Sequence, residues 1–240
     1  DTGEIKFHFQ YTPNDPFDFD GVNEHVLVDT QYKDKPHKMM LHADRNGYLY
    51  AINRADGSFI YATPYVKRIT WTSGIDPISG RPLDYDPEAK IQNYAGVASG
   101  RKKLKSDLIC PGLMGGKNWM PMAHNPDTGL FYVPSNEWGM DIWNEPITYK
   151  KGAAYLGSGF TIKPNYEDHI GSLKAMDPDT GEIKWEFKLT GVSESGLLST
   201  AGDLIFSGSM EGHFLAVDVD EGTVIVGAPG RDKCGFGIGI

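Results

Sequence analysis

One short unit recurs along the 240-residue chain: a strand ends, an Asp- or Asn-rich turn closes on a glycine, and a second strand begins. Copies in a common register occupy residues 51–61, 175–185 and 216–226, residues 1–7 hold the second half of a copy, and residues 125–132 form a looser one. In such turns Asp or Asn caps the backbone, and glycine accepts a positive φ without a Cβ clash. Each copy therefore predicts a β-hairpin, and the repetition predicts an all-β fold built from similar units.

The copies are separated by stretches of unequal length, which predicts sheets that carry loop insertions of different sizes. The longest stretches, residues 70–116 and 137–169, contain glycine, proline, asparagine and aromatic residues without clear periodicity. We interpret both as excursions between successive sheets, and no Ser/Gly linker divides the chain. The sequence thus predicts a single domain over residues 1–240.

Charge and composition exclude several classes of protein. The formal net charge of -9 gives an acidic surface that repels nucleic-acid phosphates and anionic lipids. We interpret the basic run at residues 101–105 as a solvated loop. Cys110 and Cys234 fit neither a zinc motif nor a dense disulfide framework, and no apolar run is long enough to span a membrane. The chain opens on a turn, so we expect its natural start to lie upstream.

Acidic residues crowd the segment that follows the first half-unit. Asp18 and Asp20 are two positions apart, so on a strand their carboxylates would point to the same face, and Asp15 lies close by in sequence. Such a cluster repels itself unless a cation or a proton intervenes, and a hard, oxygen-seeking metal ion would satisfy it. The alternative is that these residues are turn and cap residues on a solvated loop.

A second candidate is Arg45, which directly precedes Asn46-Gly47, a dipeptide typical of type I′ hairpins. On the sequence alone, this arginine is either a functional cation or an ordinary turn residue exposed to water. The common signatures HExxH, GxSxG, GxGxxG and GxxxxGKS/T do not occur in the sequence. Zinc peptidases, serine hydrolases and nucleotide-binding folds are therefore not indicated.

Several motifs together give the chain a family resemblance. Residues 175–185, AMDPDTGEIKW, resemble the tryptophan-docking motif of dehydrogenases that depend on pyrroloquinoline quinone (PQQ). Residues 10–21, QYTPNDPFDFDG, resemble that family's TPxDxWDxxG segment, with Phe17 at the usual tryptophan position. Residues 44–47, DRNG, and 110–119, CPGLMGGKNW, resemble two further family segments. The resemblance runs in the family's order to about residue 218 and is weak after about residue 219.

The resemblance implies the C-terminal part of an eight-bladed quinoprotein β-propeller with tryptophan-docking motifs. In that fold four-stranded blades form a disc, and Trp residues stack on peptide planes of neighbouring blades. The family's vicinal disulfide and several of its metal ligands belong to sequence that precedes Asp1. We therefore expect this chain alone to be inactive.

The resemblance also assigns roles to the acidic pair. Asp18 matches the catalytic base that takes the alcohol proton, and it lies beside the active-site metal as a ligand. Asp20 matches an additional metal-binding carboxylate of the lanthanide-dependent members, which is alanine in the calcium-dependent methanol dehydrogenases. An extra negative ligand favours a trivalent ion over a divalent one by Coulomb attraction.

The residues that the resemblance assigns to cofactor binding lie in the other two segments. Arg45 and Asn118 match residues that contact PQQ, and a fixed cation at Arg45 would stabilise an oxyanion that forms on the quinone. Lys117 and Trp119 would line the same cofactor site, and a lysine suits a tricarboxylate cofactor. Both Lys117 and Trp119 are equally explicable as hairpin residues.

The implied activity is oxidation of a small primary alcohol to an aldehyde by hydride transfer to PQQ, with a lanthanide ion or alternatively Ca²⁺ as Lewis acid. The resemblance further implies a periplasmic enzyme that passes electrons to a cytochrome c, and it allows a homodimer of the complete protein. The alternative from another class is a non-catalytic β-propeller that serves as a binding scaffold. Retention of Asp18, Asp20, Arg45 and Asn118 together favours the dehydrogenase.

Overall fold

The computed structural model describes residues 2–96 and 108–229 of the chain. The basic run at 101–105, Cys234 and the last part of the divergent end, residues 230–240, lie outside the described residues. Within the described part, no helix is long and apolar enough to cross a membrane. Regular structure there is β-strand, apart from one short 3-10 turn at Tyr94–Gly96. The prediction of an all-β fold is confirmed.

The described strands form three four-stranded antiparallel sheets, which we call blades 1 to 3, and one two-stranded sheet. Blade 1 contains β1 (Val26–Tyr32), β2 (Lys35–Ala43), β3 (Tyr48–Asn53) and β4 (Phe59–Pro64). Blade 2 contains β5 (Ala123–His124), β6 (Phe131–Asn136), β9 (Gly171–Met176) and β10 (Ile183–Leu189). The two-stranded sheet, β7 (Trp138–Asn144) and β8 (Ser158–Pro164), lies between β6 and β9 in the sequence. Blade 3 contains β11 (Leu198–Thr200), β12 (Leu204–Gly208), β13 (His213–Asp218) and β14 (Val224–Pro229).

One of the two long aperiodic stretches is placed differently from the prediction. Residues 70–116 connect β4 to β5, so they run between blades 1 and 2 as predicted. Residues 137–169 instead leave and re-enter blade 2, because β6 and β9, the strands on either side of them, pair directly with each other. The prediction of an inter-blade connection is therefore wrong for this stretch. An isolated bridge between Ile109 and Met140 joins the inserted hairpin to the inter-blade stretch.

The repeated turns have the predicted chemistry. Asn53, Asp177 and Asp218 each accept a hydrogen bond at Oδ1 from the backbone N–H two residues later, at 3.0, 2.8 and 2.9 Å. The closing glycines, at positions 57, 181 and 222, have φ values of 77°, 74° and 68°, where a Cβ would be strained. These turns join the last two strands of each blade. The three matching copies therefore mark the same hairpin in successive blades.

The looser copy at residues 125–132 serves a different connection. Its Asn125 Oδ1 accepts the Asp127 N–H at 2.9 Å, and Gly129 has a φ of 71°. It joins β5 to β6, the first hairpin of blade 2, whereas the other copies join the last two strands of a blade. The same turn chemistry thus also occurs in the first hairpin of a blade, and not only in the last one.

Trp185, the aromatic residue of the docking motif in blade 2, lies against the corresponding turn of blade 3. Its ring packs on Gly222, where an added Cβ would lie 2.5 Å from the ring atoms. Its Nε1 donates a hydrogen bond to the Val219 carbonyl oxygen at 2.8 Å. The expected stacking of a tryptophan on a neighbouring blade is confirmed.

The same docking contact is made by other aromatic residues at the equivalent positions. Phe7 packs on Gly57 of blade 1, where an added Cβ would lie 2.4 Å from the phenyl ring. The Tyr61 hydroxyl of blade 1 donates to the Pro178 carbonyl oxygen in the turn of blade 2. The aromatic side chain that follows one turn therefore docks on the turn of the next blade, whichever aromatic residue supplies it.

Replacing Trp185 by Phe tests this contact. The variant keeps an apolar ring but removes the donor to Val219, so we expect it to lower the free energy of unfolding by about 1–2 kcal/mol. The matched control is Trp143→Phe, which removes an exposed indole hydrogen bond to Glu145, and urea unfolding compares the two variants. Equal effects of the two substitutions would contradict a stabilising role for docking.

Hydrophobic cores lie between adjacent blades, and β6 contributes to two of them. Phe131 and Val133 pack with blade 1 residues such as Met39. Tyr132, between them, packs with blade 3 residues such as Ile205. Because alternate side chains of a strand point to opposite faces, blade 2 is buried on both faces. Sheets stacked face to face in this way are arranged as the blades of a propeller.

Candidate active site

Arg45 is the point at which the three family-like segments meet. Its Nη1 donates to the Asp20 carbonyl oxygen at 3.2 Å, and its Nη2 donates to the Leu113 carbonyl oxygen. The Arg45 carbonyl oxygen accepts the Gly116 N–H at 2.9 Å. The loop that carries the acidic residues, the β2–β3 turn and the GGKNW segment are thereby assembled into one site.

Asp15 organises the acidic loop and does not join the pair formed by Asp18 and Asp20. Its carboxylate accepts hydrogen bonds from the backbone N–H groups of Phe17 at 2.8 Å, of Phe19, and of Asp20 at 3.1 Å. Burial raises the pKa of Asp15 to about 6, although the three backbone N–H groups act in the opposite direction. The interpretation of these residues as cap residues is therefore correct for Asp15.

The Asp18 and Asp20 carboxylates lie together on the exposed side of the loop. Phe17 and Phe19 are 0% and 1% exposed, whereas both aspartates are exposed and the negative charge of Asp20 acts on the Asp18 carboxyl. The prediction of a shared face is confirmed, but the predicted cause is wrong. Asp18 has a φ of 64°, in the left-handed region, so the segment is not a strand. Such a φ is costly for a residue other than glycine and is common in functional sites.

Arg45 and Asp18 form an ion pair across the site. Their Nη2 and Oδ2 atoms are 3.3 Å apart, and the side chains are 10% and 59% exposed, respectively. Partial burial raises the pKa of the Asp18 carboxyl, Arg45 acts to lower it, and the neighbouring Asp20 raises it further. The net shift is upward, which makes Asp18 a better proton acceptor than an ordinary surface aspartate.

Arg45 is not the water-exposed turn residue that the sequence alone allowed. The residue is 9% exposed. Glycines allow the surrounding chain to approach it, since a Cβ on Gly21 or Gly115 would lie 2.9 or 2.6 Å from its side chain. Among the described residues, its Nε is a buried donor without a hydrogen-bond partner. Buried donors are normally satisfied, so this atom indicates a binding partner outside the described residues.

The β2–β3 turn is a hairpin, as predicted, but it is not of type I′. In this turn only Gly47 has a positive φ, 97°, whereas type I′ needs one at both central positions. Asn46 is held by other contacts, because its Nδ2 donates to the hydroxyls of Thr12 and Tyr50 at 3.1 and 3.0 Å. These contacts fix the backbone next to Arg45.

Asn118 and Trp119 lie at the far end of the segment that binds Arg45. Asn118 is 8% exposed, and its Oδ1 accepts the Trp119 N–H at 2.9 Å. Its Nδ2 donates to the Met114 carbonyl oxygen at 3.3 Å, which ties it to the residue after Leu113. The Trp119 side chain is 56% exposed, in an irregular loop and not in a hairpin. Asn118 and Trp119 therefore lie only a few residues along the chain from Leu113 and Gly116, which hydrogen-bond to Arg45.

Lys117 faces inward and not toward the open side of the site. It is 0% exposed, and its Nζ donates to Glu24 Oε2 at 3.0 Å and to the Asn118 carbonyl oxygen at 2.9 Å. Burial lowers the pKa of Lys117, while the Glu24 carboxylate opposes that shift. The geometry favours a structural role for Lys117 over the predicted cofactor-binding one. Its partner is 93 residues away, so no local sequence pattern predicts the ion pair.

His42 and Asp44 also belong to this site, although the sequence analysis assigns neither of them a role. His42 Nε2 and Asp44 Oδ2 are 3.2 Å apart, and both residues are buried. The available signal was their spacing of two, which places both side chains on one face at the end of β2, directly before Arg45.

The described residues fit part of a metal site and part of a cofactor site. The Asp18 and Asp20 carboxylates supply hard oxygen donors, of which a calcium-like ion takes roughly six to eight. No group of three or more His, Cys, Asp or Glu side chains within residues 2–96 and 108–229 is arranged to hold a metal ion. Other ligands must therefore complete such a site. The unpartnered Arg45 Nε is suited to a carbonyl or anionic oxygen of a bound cofactor.

Comparison with known proteins gives consistent matches. Residues 1–68 match the PQQ family model described as Glucose/ethanol/alcohol dehydrogenase, beta-propeller domain. The quinoprotein alcohol dehydrogenase PedH of Pseudomonas putida is 50% identical over 92% of this chain and 36% of its own length. The lanthanide-dependent methanol dehydrogenase of Methylorubrum extorquens is 36% identical over 92% of this chain and 37% of its own length. A solved europium-containing methanol dehydrogenase superposes with a TM-score of 0.82 at 34% identity, over 92% of this chain and 37% of that one.

These relatives are much longer than the chain, which spans 36% of the length of PedH. The similarity nevertheless covers nine-tenths of this chain, in sequence and in structure. The three blades are thus part of a quinoprotein β-propeller. The chain belongs to the PQQ-dependent quinoprotein alcohol dehydrogenase family.

Proposed function

We propose that this chain is part of a PQQ-dependent dehydrogenase that oxidises small primary alcohols to aldehydes. The observation that carries the proposal is the cluster of Asp18, Asp20 and the buried Arg45, whose Nε has no partner among the described residues. A propeller used only as a binding scaffold has no need of two adjacent carboxylates beside a buried cation. The family relationship gives the cluster its chemical context.

Asp18 is the residue that accepts the hydroxyl proton of the alcohol. Its raised pKa strengthens it as a base, and its 59% exposure leaves the carboxylate open to a substrate. Arg45 orients the Asp18 carboxylate at 3.3 Å and presents further N–H groups to an oxygen that gains negative charge. Bound PQQ and its metal ion supply the hydride acceptor and the Lewis acid.

Asp18 and Asp20 would hold the metal ion, and the second carboxylate favours a lanthanide over Ca²⁺. Each additional negative oxygen stabilises a trivalent ion more than a divalent one, because the Coulomb energy scales with the ion's charge. Arg45, Asn118 and Trp119 would hold PQQ. Lys117 would support that site from the interior through Glu24.

We extend the proposal to the surroundings of the enzyme through the family resemblance alone. The complete protein would work in the periplasm, pass its electrons to a cytochrome c and form a homodimer.

Steady-state assay of the complete protein tests the proposed reaction. The protein is produced without PQQ and then loaded with PQQ and either La³⁺ or Ca²⁺, and reduction of an artificial dye is followed after addition of ethanol. We expect alcohol-dependent dye reduction, fastest with La³⁺. Absence of activity with both ions would rule out the dehydrogenase, and activity with Ca²⁺ alone would rule out the role given to Asp20.

Replacing Asp20 by Ala tests the metal preference. Loss of one carboxylate ligand should lower La³⁺-supported turnover at least about tenfold more than Ca²⁺-supported turnover. The matched control is Asp56→Ala, which removes an exposed aspartate from the β3–β4 turn and should change neither. Equal losses with both ions would mean that Asp20 does not select the metal.

A further inference from the structure

The His42 side chain is buried against two other rings, those of Tyr11 and His25. Its ring stacks on Tyr11 with centroids 4.4 Å apart and on His25 with centroids 4.3 Å apart. The Tyr11 hydroxyl is 2.9 Å from His25 Nε2, so these two residues also contact each other. The residue is 3% exposed, so its imidazole has a fixed position and orientation.

Both ring nitrogens of His42 face hydrogen-bond acceptors. Nδ1 is 3.1 Å from the Glu24 carbonyl oxygen, and Nε2 is 3.2 Å from Asp44 Oδ2. The imidazole therefore connects the Glu24 backbone to the Asp44 carboxylate.

Asp44, the partner of His42, holds the backbone on both sides of Arg45. Its Oδ1 accepts the Asn46 N–H at 3.0 Å, and its carbonyl oxygen accepts the Tyr65 hydroxyl at 2.6 Å. A carboxylate that bonds the residue after Arg45, while its own residue precedes Arg45, fixes the turn from which that arginine projects.

We propose that His42 and Asp44 form a positioning pair for Arg45: the imidazole holds the Asp44 carboxylate, which in turn fixes the turn that directs the guanidinium at Asp18 and the cofactor. This inference rests on the proposed function, since it assigns Arg45 a ligand. In this proposal His42 and Asp44 act through Arg45.

A double-mutant cycle on the complete protein separates positioning from general stabilisation. Wild type, His42→Gln, Arg45→Ala and the double variant are each titrated with PQQ in the presence of La³⁺, and binding is followed by tryptophan fluorescence. We expect His42→Gln to weaken PQQ binding about tenfold in the wild-type background and less than about twofold in the Arg45→Ala background. Equal losses in the two backgrounds, or no loss in either, would overturn the proposal.

A second readout does not depend on the cofactor. Hydrogen exchange of the peptide that spans residues 44–48 should accelerate in His42→Gln, and also in the isosteric Asp44→Asn if the first variant folds poorly. The control His37→Gln, on the same strand, should leave it unchanged. Unchanged exchange in both test variants would refute the positioning pair. If the wild type does not bind PQQ but exchange is faster in the variants, the proposed function is refuted. The role of His42 and Asp44 in fixing the turn would still stand.

Discussion

Replacing Asp18 by Asn is expected to lower kcat of the complete dehydrogenase by about 10²–10⁴-fold, the usual contribution of a positioned general base. Asparagine keeps the size of the side chain and can still accept a hydrogen bond from Arg45, but it cannot take the alcohol proton. The loop is held by Asp15, through its bonds to the Phe17, Phe19 and Asp20 backbone, so the local fold should survive.

Asp29→Asn is the matched control for this substitution. Asp29 is also an exposed aspartate paired with an arginine, Arg54, and it lies on β1 away from the acidic loop. We expect the control to retain full turnover, and circular dichroism of both variants checks that they fold. An Asp18→Asn enzyme within tenfold of wild type would mean that another group takes the proton.

Replacing Lys174 by Met is expected to destabilise the protein by about 3–5 kcal/mol, because it leaves a buried carboxylate without its cation. Lys174 and Glu137 are both 0% exposed, with Nζ and Oε1 2.5 Å apart. Lys174 also donates to the Tyr65 carbonyl oxygen at 2.7 Å, and Glu137 accepts the Lys67 N–H at 3.1 Å. The pair therefore joins blade 2 to the segment that leaves blade 1.

Two further variants show whether burial causes the loss. Lys188→Met removes the exposed pair with Asp168, whose side chains are 46% and 59% exposed, and should destabilise the protein far less, because water screens an exposed pair. Combining Lys174→Met with Glu137→Leu should cost less than Lys174→Met alone, since no unpaired charge is then buried. Urea unfolding of the complete protein measures all three. Similar losses for the buried and exposed lysines would contradict the account.

The blade hairpins could be predicted from the sequence because their chemistry is local. An Asp or Asn cap and a positive-φ glycine occupy fixed positions within a few residues, as at Asp177 and Gly181. The docking of Trp185 followed from the same motif, although its partner is in another blade. The insertion of residues 137–169 within blade 2 could not be predicted, since β6 pairs with β9 across a long separation that no local pattern marks.

The candidate site divides in the same way. Asp18, Asp20 and Arg45 come together as expected, because family motifs record residues that meet in space. The left-handed φ of Asp18 could not be predicted, because the two-residue spacing of Asp18 and Asp20 is typical of a strand. Lys117 was assigned to the cofactor because the sequence did not reveal its distant partner Glu24. Partners far apart in sequence are fixed by tertiary packing, and single-sequence patterns do not contain them.

The most direct test of the central claim is a single-turnover measurement on the complete protein loaded with PQQ and La³⁺. Under anaerobic conditions a primary alcohol is added, and the absorbance of the bound quinone is followed in wild type and in Asp18→Asn. The account predicts stoichiometric reduction of the bound quinone by the wild type, and reduction at least about a hundredfold slower in Asp18→Asn with PQQ still bound. A bound quinone that alcohol does not reduce in the wild type, or that both proteins reduce at the same rate, would contradict it.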